Sequence, residues 1–478
     1  MNKKNYTAPM KQHVTAPKDK VPFFEKLMYG MGSGSFQISN DSVNGLANPV
    51  FNITLGLNLA WVGLVMTIAR LFDAFTDPIM GKISDDFRSR WGRRRPFIFV
   101  GCFLTAFAFI LIWMVPESWK GATGPLFTYF LVAMLFFYLC ATIQCVPYHT
   151  LGLEMTADYH ERTSVAGFKM VFSYTLTLFL PWVFYFAQSE KFGGNTMAGI
   201  RYWSFIIAGV IIASGILPAI FVKERYYKVA CTQVKISMKD SVKFTFQNRP
   251  FLILTGMLLV GMIGGGMIGA FGPYLVYFYM FDGDTKAGQA LVAQAANIAA
   301  ITALISTPLV VWFSKRVGKL HLLGGLMIFG YVVAILKFFC YNKEYPYLIF
   351  VVSVLSAPVG AAYWTIINSM KADICDDDEL RHGLRREGMF GSIGNWILKA
   401  ASSSTHLLSG VILISSGFQL ELKGDQDPKT FLLMRILFCA VPLVSGAIAL
   451  FLLWHYPLNS KRMEQIRAEL EVRRSTVT

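Results

Sequence analysis

The chain has 478 residues, of which 54% are hydrophobic and only 15% are charged. This composition and a mean hydropathy of +0.47 exclude an ordinary soluble fold of this length. The formal net charge is +15, but the basic residues cluster in short loops between apolar segments, which indicates membrane topology rather than nucleic-acid binding. The seven cysteines show neither disulfide nor zinc spacing, and the polar first twenty residues are not expected to form a cleavable signal peptide.

Apolar segments long enough to cross a bilayer recur along nearly the whole chain, which predicts an all-α polytopic membrane protein. Hydropathy indicates twelve transmembrane helices in two groups of six. The predicted spans are 28–56, 59–84, 96–116, 124–152, 162–188, 202–223, 250–281, 286–314, 320–340, 345–371, 387–416 and 430–457. The predicted regions are a tail 1–27, a bundle 28–224, a central loop 225–248, a bundle 249–457 and a tail 458–478.

The distribution of basic residues predicts which side of the membrane each loop faces. The loop after the second span carries five arginines within residues 88–95, whereas the loop after the third span carries only Lys120. Lysine and arginine accumulate in cytoplasmic loops, so the arginine-rich loop, the central loop and both termini are predicted to be cytoplasmic. We expect a multi-pass plasma-membrane protein of the bacterial inner-membrane kind.

The first span is unusually polar for a helix in lipid. Gln37 and Asp41 interrupt it, together with several serines and asparagines. Such a helix lines an aqueous cavity or is packed away from lipid, and its glycines would allow the second arrangement by close helix approach. We predict that Gln37 and Asp41 face a substrate cavity, with simple helix packing as the alternative.

The second span contains two carboxylates, Asp73 and Asp77, which are four residues apart. On a helix this spacing places both on one face. Carboxylates inside a membrane usually face a cavity, an ion or a partner, so the pair is a candidate site for a coupling cation. Two close carboxylates also tend to hold a proton between them, so both Na⁺ and H⁺ remain open.

Two further spans carry polar residues at membrane depth. In the fourth span Pro147 frees a backbone carbonyl near Cys145 and His149; a lone histidine is more often structural, but this one is also a candidate for the cavity. The eleventh span carries Asn395 and Lys399. Lys399 lies too deep to reach water easily, so it either faces the cavity and binds an anion or forms an internal salt bridge with Asp73 or Asp77.

Charged segments on the predicted cytoplasmic side suggest a gate. One follows the fourth span, and the other is the acidic run 373–382, which lacks the alternating ligands and central glycine of a calcium loop. An acidic run ordinarily just faces solvent, but pairing with the arginine-rich loop would close this side. The predicted gate residues are Arg88, Arg90, Arg93, Glu161, Arg162, Asp373, Asp376 and Arg381.

The two halves repeat a short pattern. Residues 76–78 (Thr-Asp-Pro) followed by Gly92 resemble residues 306–308 (Ser-Thr-Pro) followed by Gly318. A parallel repeat of six-helix halves predicts the major facilitator fold, in which substrate binds between the halves at mid-membrane. The second copy lacks both carboxylates, so the ionisable chemistry is predicted to belong to the first half.

The sequence resembles the glycoside-pentoside-hexuronide:cation symporters, the family of the melibiose carrier. The motifs that carry this resemblance are 70–81 with 89–92, 158–163, and 372–374 followed by 386–388. The resemblance implies that a coupling cation, Na⁺ or H⁺, binds to Asp73, Thr76, Asp77 and Thr142, with no other cofactor or metal. The threonine oxygens favour Na⁺.

The resemblance also implies a sugar site, but the pattern is partly broken there. Gln37 and Cys145 stand where the melibiose carrier has acids, His149 stands in place of a tryptophan, and Lys169 matches an arginine only approximately. The loss of acids beside these basic groups makes a uronide a minority alternative to a neutral glycoside or oligosaccharide. The predicted substrate-binding residues are Gln37, Asp41, Cys145, His149, Lys169, Trp364, Asn395 and Lys399.

The predicted function is cation-coupled sugar symport by alternating access. Transport of a non-sugar solute such as a lysolipid, or sensing without transport, are the alternatives. An enzyme is not predicted, because no HExxH or GxSxG motif occurs. The expected partners are the sugar, a monovalent cation and the bilayer, without nucleic acid, and we expect a monomer.

Overall fold

The computed structural model describes residues 20–156, 159–224, 246–382 and 387–475, so most of the predicted central loop lies outside it. In these ranges ten helices are long and apolar enough to cross a membrane. The protein is therefore all-α and multi-pass. Two predicted spans, 28–56 and 162–188, fall on helices that are polar or interrupted, so the total of twelve, like the five predicted regions, stays a prediction.

The first half forms a series of helices joined by short connections, so that successive spans run in opposite directions. They are α1 (Phe23–Ala47), α2 (Leu59–Asp86), α3 (Arg95–Trp113), α4 (Thr123–Glu154), α5 (Tyr159–Thr177), α6 (Leu180–Ala187) and α7 (Thr196–Phe221). Helix α1 continues as a π-helical segment, Asn48–Thr54. The side chain of Asn58 caps α2 by accepting a hydrogen bond from the Ala60 amide at 2.9 Å.

The second half is also a series of helices. Its helices are α8 (Arg249–Met267), α9 (Phe271–Tyr274), α10 (Thr285–Val317), α11 (Lys319–Cys340), α12 (Ile349–His382), α13 (Glu387–Ser415), α14 (Pro428–Trp454) and α15 (Ser460–Ser475). Helix α9 continues as a π-helical segment, Leu275–Met280, and Asp284 caps α10. The short α15 follows the last long apolar helix and packs against α12.

The two halves have separate hydrophobic cores and meet at one end of the bundle. A third cluster of buried residues combines Leu59 of α2 with Phe271, Tyr274 and Leu413 of the second half. All of these residues lie at the end that holds the connection between α1 and α2, which we call the far end. The bundle is therefore sealed at the far end by apolar packing between the halves.

Close backbone contact between α2 and α13 strengthens this seal. A Cβ atom added to Gly63 would lie 2.5 Å from the backbone oxygen of His406, so only glycine permits this approach. Thr67 donates a hydrogen bond to the Ser403 backbone oxygen at 2.6 Å. Helix α2 thus packs tightly on α13, and this packing places the polar middle of one helix against that of the other.

Candidate cation and substrate site

The four residues predicted to bind the cation come together near the middle of α2 and α4. The Thr142 hydroxyl lies 3.0 Å from Asp73 Oδ1 and 3.3 Å from Asp77 Oδ1. The hydroxyl of Thr76 is 3.2 Å from that of Thr142. Asp73 is buried, whereas the Asp77 side chain is 30% exposed. The helical spacing of the acids and the packing of α4 on α2 therefore create a cluster of hard oxygen ligands.

Lys399 of α13 reaches this cluster from the other half. Its ammonium donates a hydrogen bond to Asp73 Oδ2 at 2.9 Å and a second, shorter one to Asp77 Oδ2. Of the two alternatives that the sequence leaves open for Lys399, the structure shows the internal salt bridge. The lysine lies between the two carboxylates, where a coupling cation is predicted to bind.

Arg70 completes the cluster and is missing from the predicted site. Its guanidinium lies 3.5 Å from Asp73 Oδ2, donates to Asn40 Oδ1 at 3.0 Å and stacks 5.1 Å from the centre of the Tyr138 ring. The spacing of three residues from Asp73 on one helix was the signal that could have identified it. Arg70 and Lys399 together balance the charges of Asp73 and Asp77.

A second basic group lies on α4 and α5. Lys169 Nζ is 3.0 Å from His149 Nδ1, and the Phe36 ring packs edge-on against the imidazole at a centroid distance of 5.7 Å. Cys145 lies one helical turn before His149 and is partly buried. Three of the predicted substrate residues are therefore neighbours, and the Lys169–His149 pair presents hydrogen-bonding groups in the first half.

Gln37 and Asp41 interact with each other along α1. The amide of Gln37 donates to Asp41 Oδ2 at 2.6 Å. Asp41 also lines a cavity of about 520 Å³ between the halves, which the other half bounds with Tyr277 and Gln289. A carboxylate, amides and aromatic rings around one space form a surface suited to a polyhydroxylated solute.

The remaining predicted substrate residues are not joined to these groups by the contacts seen. The Trp364 side chain is about half exposed and lies 6.2 Å from the Tyr363 ring, centre to centre. Asn395 is on α13, but its side chain lies outside the described part of the structure, as does that of Arg162 on α5. Their assignment to the site or the gate stays a prediction.

Several residues predicted to form a gate make contacts within their own half. Arg93 donates a short hydrogen bond to Glu154 and lies 3.8 Å from Asp85. The loop is held further by Glu224, whose carboxylate accepts hydrogen bonds from backbone amides of residues 93–95. Arg94 also contacts Asp85 and Glu154. In this conformation these ion pairs and hydrogen bonds link the ends of helices within the first half.

The other predicted gate residues follow a similar pattern. Glu161 accepts from Lys26 at 2.5 Å in the first half. In the second half, Asp373 pairs with Lys319 at 2.5 Å. The remaining members are Arg88 and Arg90, both exposed, Asp376, which lies near the end of α12, and Arg381, which pairs with Asp377 at 2.9 Å. A gate between the halves stays a prediction for another conformation.

A sealed two-part helical bundle with a charge cluster and a cavity between its halves defines a membrane transporter of the major facilitator type. A family model described as MFS/sugar transport protein matches residues 28–460. The chain belongs to this family, and the family resemblance seen in the sequence is confirmed. The protein is a transporter and not an enzyme.

Known proteins resemble the chain over most of its length. The glucuronide carrier protein homolog of Escherichia coli is 24% identical over 88% of this chain and 89% of its own. The sodium-dependent lysophosphatidylcholine symporter 1 of Xenopus tropicalis is 23% identical over 96% and 92%, respectively. A bacterial homolog of the human lysosomal transporter Spinster, solved in an inward-facing, unoccupied conformation, shares the fold with a TM-score of 0.66 at 14% identity, over 93% of this chain and 98% of that one.

Proposed function

We propose that the protein is a cation-coupled sugar symporter in which Lys399 competes with the coupling cation. The observation that carries this proposal is the position of the Lys399 ammonium between Asp73 and Asp77. Carboxylate and hydroxyl oxygens suit Na⁺, and a proton on one carboxylate would neutralise the same charge. The ion is transported and is not a resident cofactor.

Charge balance explains why the lysine and the ion exclude each other. Arg70 and Lys399 offset the two carboxylates, so an added cation would leave the buried cluster with a positive charge, which low dielectric disfavours. Arg70 is held by Asn40 and its side chain is 15% exposed, whereas that of Lys399 is 32% exposed. Lys399 is therefore the cation that leaves.

Release of Lys399 couples the ion to the substrate. A lysine freed from the carboxylates can turn toward the space between the halves and donate hydrogen bonds to sugar hydroxyls there. Because α13 also forms the far-end seal with α2, loss of the Lys399 bridge weakens the contact between the halves. Ion and sugar then favour the same conformational change, and the coupling between them is reciprocal.

The direction of opening follows from the predicted topology. Cytoplasmic termini would place the far end outside the cell, so the conformation sealed at the far end would be open toward the cytoplasm. The sugar class is supported by the family description and by the 24% identical glucuronide carrier homolog. A lysophospholipid is the second candidate, supported by the 23% identical lysophosphatidylcholine symporter.

Uptake into vesicles tests the proposal. We expect Asp77→Asn to abolish accumulation of a labelled sugar driven by an imposed Na⁺ or proton gradient, because one carboxylate of the ion site is lost. Asp86→Asn is the matched control, since Asp86 is an exposed acid at the end of the same helix. Undiminished accumulation by the Asp77 variant would refute the ion site. Uptake of lysophospholipid without accumulation of sugar would favour the second candidate. Binding of sugar without uptake would indicate a sensor.

A further inference from the structure

Lys337 is a lysine near the end of a membrane-spanning helix, away from the carboxylate cluster. It lies in the last turn of α11, on the same side of the helix as the buried residues Val333 and Cys340. Exposed apolar residues around this part of the helix include Val332, Ile335 and Phe339. Lys337 therefore points into the second half and not toward the surface where a lysine would reach lipid head groups.

The Lys337 side chain lines a small pocket of about 210 Å³ inside the second half. The other polar groups on its wall belong to Tyr341, Ser353 and Ser356, and the rest of the wall is largely small and apolar. The hydroxyl of Ser353 donates to the Ile349 backbone oxygen at 3.1 Å and can rotate toward a ligand. The pocket wall thus includes one basic residue and three residues with hydroxyl groups.

This pocket adjoins the larger cavity between the halves. Pro273, Val292 and Ala296 line both spaces, so the two spaces share a wall that includes these three apolar residues. The shared wall follows the short helix α9 and the adjacent part of α10. Asp41 lies in the larger cavity and Lys337 in the smaller one, so opposite charges line the two neighbouring spaces.

The charge on Lys337 has no acidic partner among the residues that the structure describes. Its ammonium lies 4.9 Å from the centre of the Phe438 ring. The guanidinium of the nearby Arg435 donates to the Phe338 backbone oxygen and lies 4.4 Å from the centre of the Phe338 ring. Two basic side chains therefore occupy this region of the second half, which disfavours a second cation and favours an anion.

We propose that the Lys337 pocket binds an anionic group, a carboxylate or a phosphate. The pocket, at about 210 Å³, is less than half as large as the cavity between the halves, at about 520 Å³, which suits an acid group on a short stem better than a large solute. The anion is either the acid group of a solute that enters from the larger cavity or the head group of an anionic lipid. This site is separate from the cation cluster and does not depend on the symport proposal.

Binding to the purified full-length protein tests this site without any transport measurement. Thermal unfolding is followed against glucuronate with glucose as its neutral counterpart, and against dioctanoyl phosphatidylglycerol with dioctanoylglycerol, at constant Na⁺ and ionic strength. We expect an acidic probe to stabilise the wild type and to bind Lys337→Met at least about tenfold more weakly, the loss of one charge-assisted hydrogen bond. Lys337→Arg and the surface control Lys343→Met should stay within about threefold of the wild type.

The probes separate the two sources of the anion. A Lys337-dependent effect of glucuronate identifies a solute acid, and one of phosphatidylglycerol identifies a lipid head group; either result supports the site. The proposal is overturned if no acidic probe stabilises the wild type, or if every acidic probe binds Lys337→Met as tightly. If Lys337→Met does not give monodisperse protein, binding to Lys337→Gln is measured instead and judged by the same criteria.

Discussion

Replacement of Lys399 by methionine tests the competition between the lysine and the coupling cation. Methionine keeps a long unbranched side chain but removes the ammonium from Asp73 and Asp77. Only Arg70 then offsets the two carboxylates, and the cluster carries a net negative charge. We therefore expect this variant to bind the coupling cation more tightly than the wild type while losing coupled sugar accumulation.

The size of the effect follows from the contacts that the ion must replace. A hydrogen bond between charged groups contributes about 1.5–3 kcal/mol, and Lys399 makes two of them. Because the Lys399 side chain is 32% exposed, solvent screens these bonds, and we expect the two together to contribute only the lower end of this range. About 1.4 kcal/mol corresponds to a tenfold change, so the expected gain in cation affinity is roughly tenfold or more.

Titration of the purified protein with Na⁺ and Li⁺, and with pH for a proton, gives the apparent affinity through thermal stabilisation or calorimetry. Lys169→Met is the matched control, because it removes a neighbouring lysine that contacts His149 rather than the carboxylates. The control should change cation affinity much less. Weaker or unchanged cation binding in Lys399→Met, with the variant folded, would refute the competition.

Two further substitutions test the far-end seal and the helix-end contacts. Gly63→Ala would bring a Cβ within 2.5 Å of a backbone oxygen of α13. We expect this overpacking to lower the free energy of unfolding by about 1–3 kcal/mol and to lower the unfolding temperature. The control Gly124→Ala, which has open space around it, should change both quantities little. Arg93→Ala removes one partner of the buried Glu154, so we expect the free energy of unfolding to fall by about 2 kcal/mol. The loss is not larger because Arg94 still contacts Glu154. Both variants are compared by chemical unfolding, in which the exposed control Arg90→Ala should have a free energy of unfolding within about 0.5 kcal/mol of the wild type.

Local sequence features were enough to predict the acids and much of the helical architecture. Spacing along one helix places Asp73 and Asp77 on the same face, and the same spacing rule applies to Arg70. Thr142 lies on another helix, so only the family resemblance, and not periodicity, indicated that it belongs with them. The structure brings its hydroxyl within 3.3 Å of both carboxylates.

Other features depended on which surfaces of distant helices meet. The sequence left open whether Lys399 binds an anion in the cavity or forms a salt bridge with Asp73 or Asp77. In this conformation the packing of α2 against α13 places it between the two acids. The predicted gate depends on conformation: Arg93 contacts Glu154 when the bundle is sealed at its far end. A charge pattern alone does not specify which of two conformations brings charges together.

The sequence by itself determined that the protein is a multi-pass helical membrane protein and where its membrane-buried acids lie. Hydropathy and helical periodicity are local properties, and a bilayer imposes both on any chain that crosses it. Only the tertiary structure decided that Lys399 bridges the acids, that the halves seal at one end, and that Lys337 faces a pocket without an acidic partner among the described residues. These features depend on contacts between residues far apart in the chain, which local patterns do not encode.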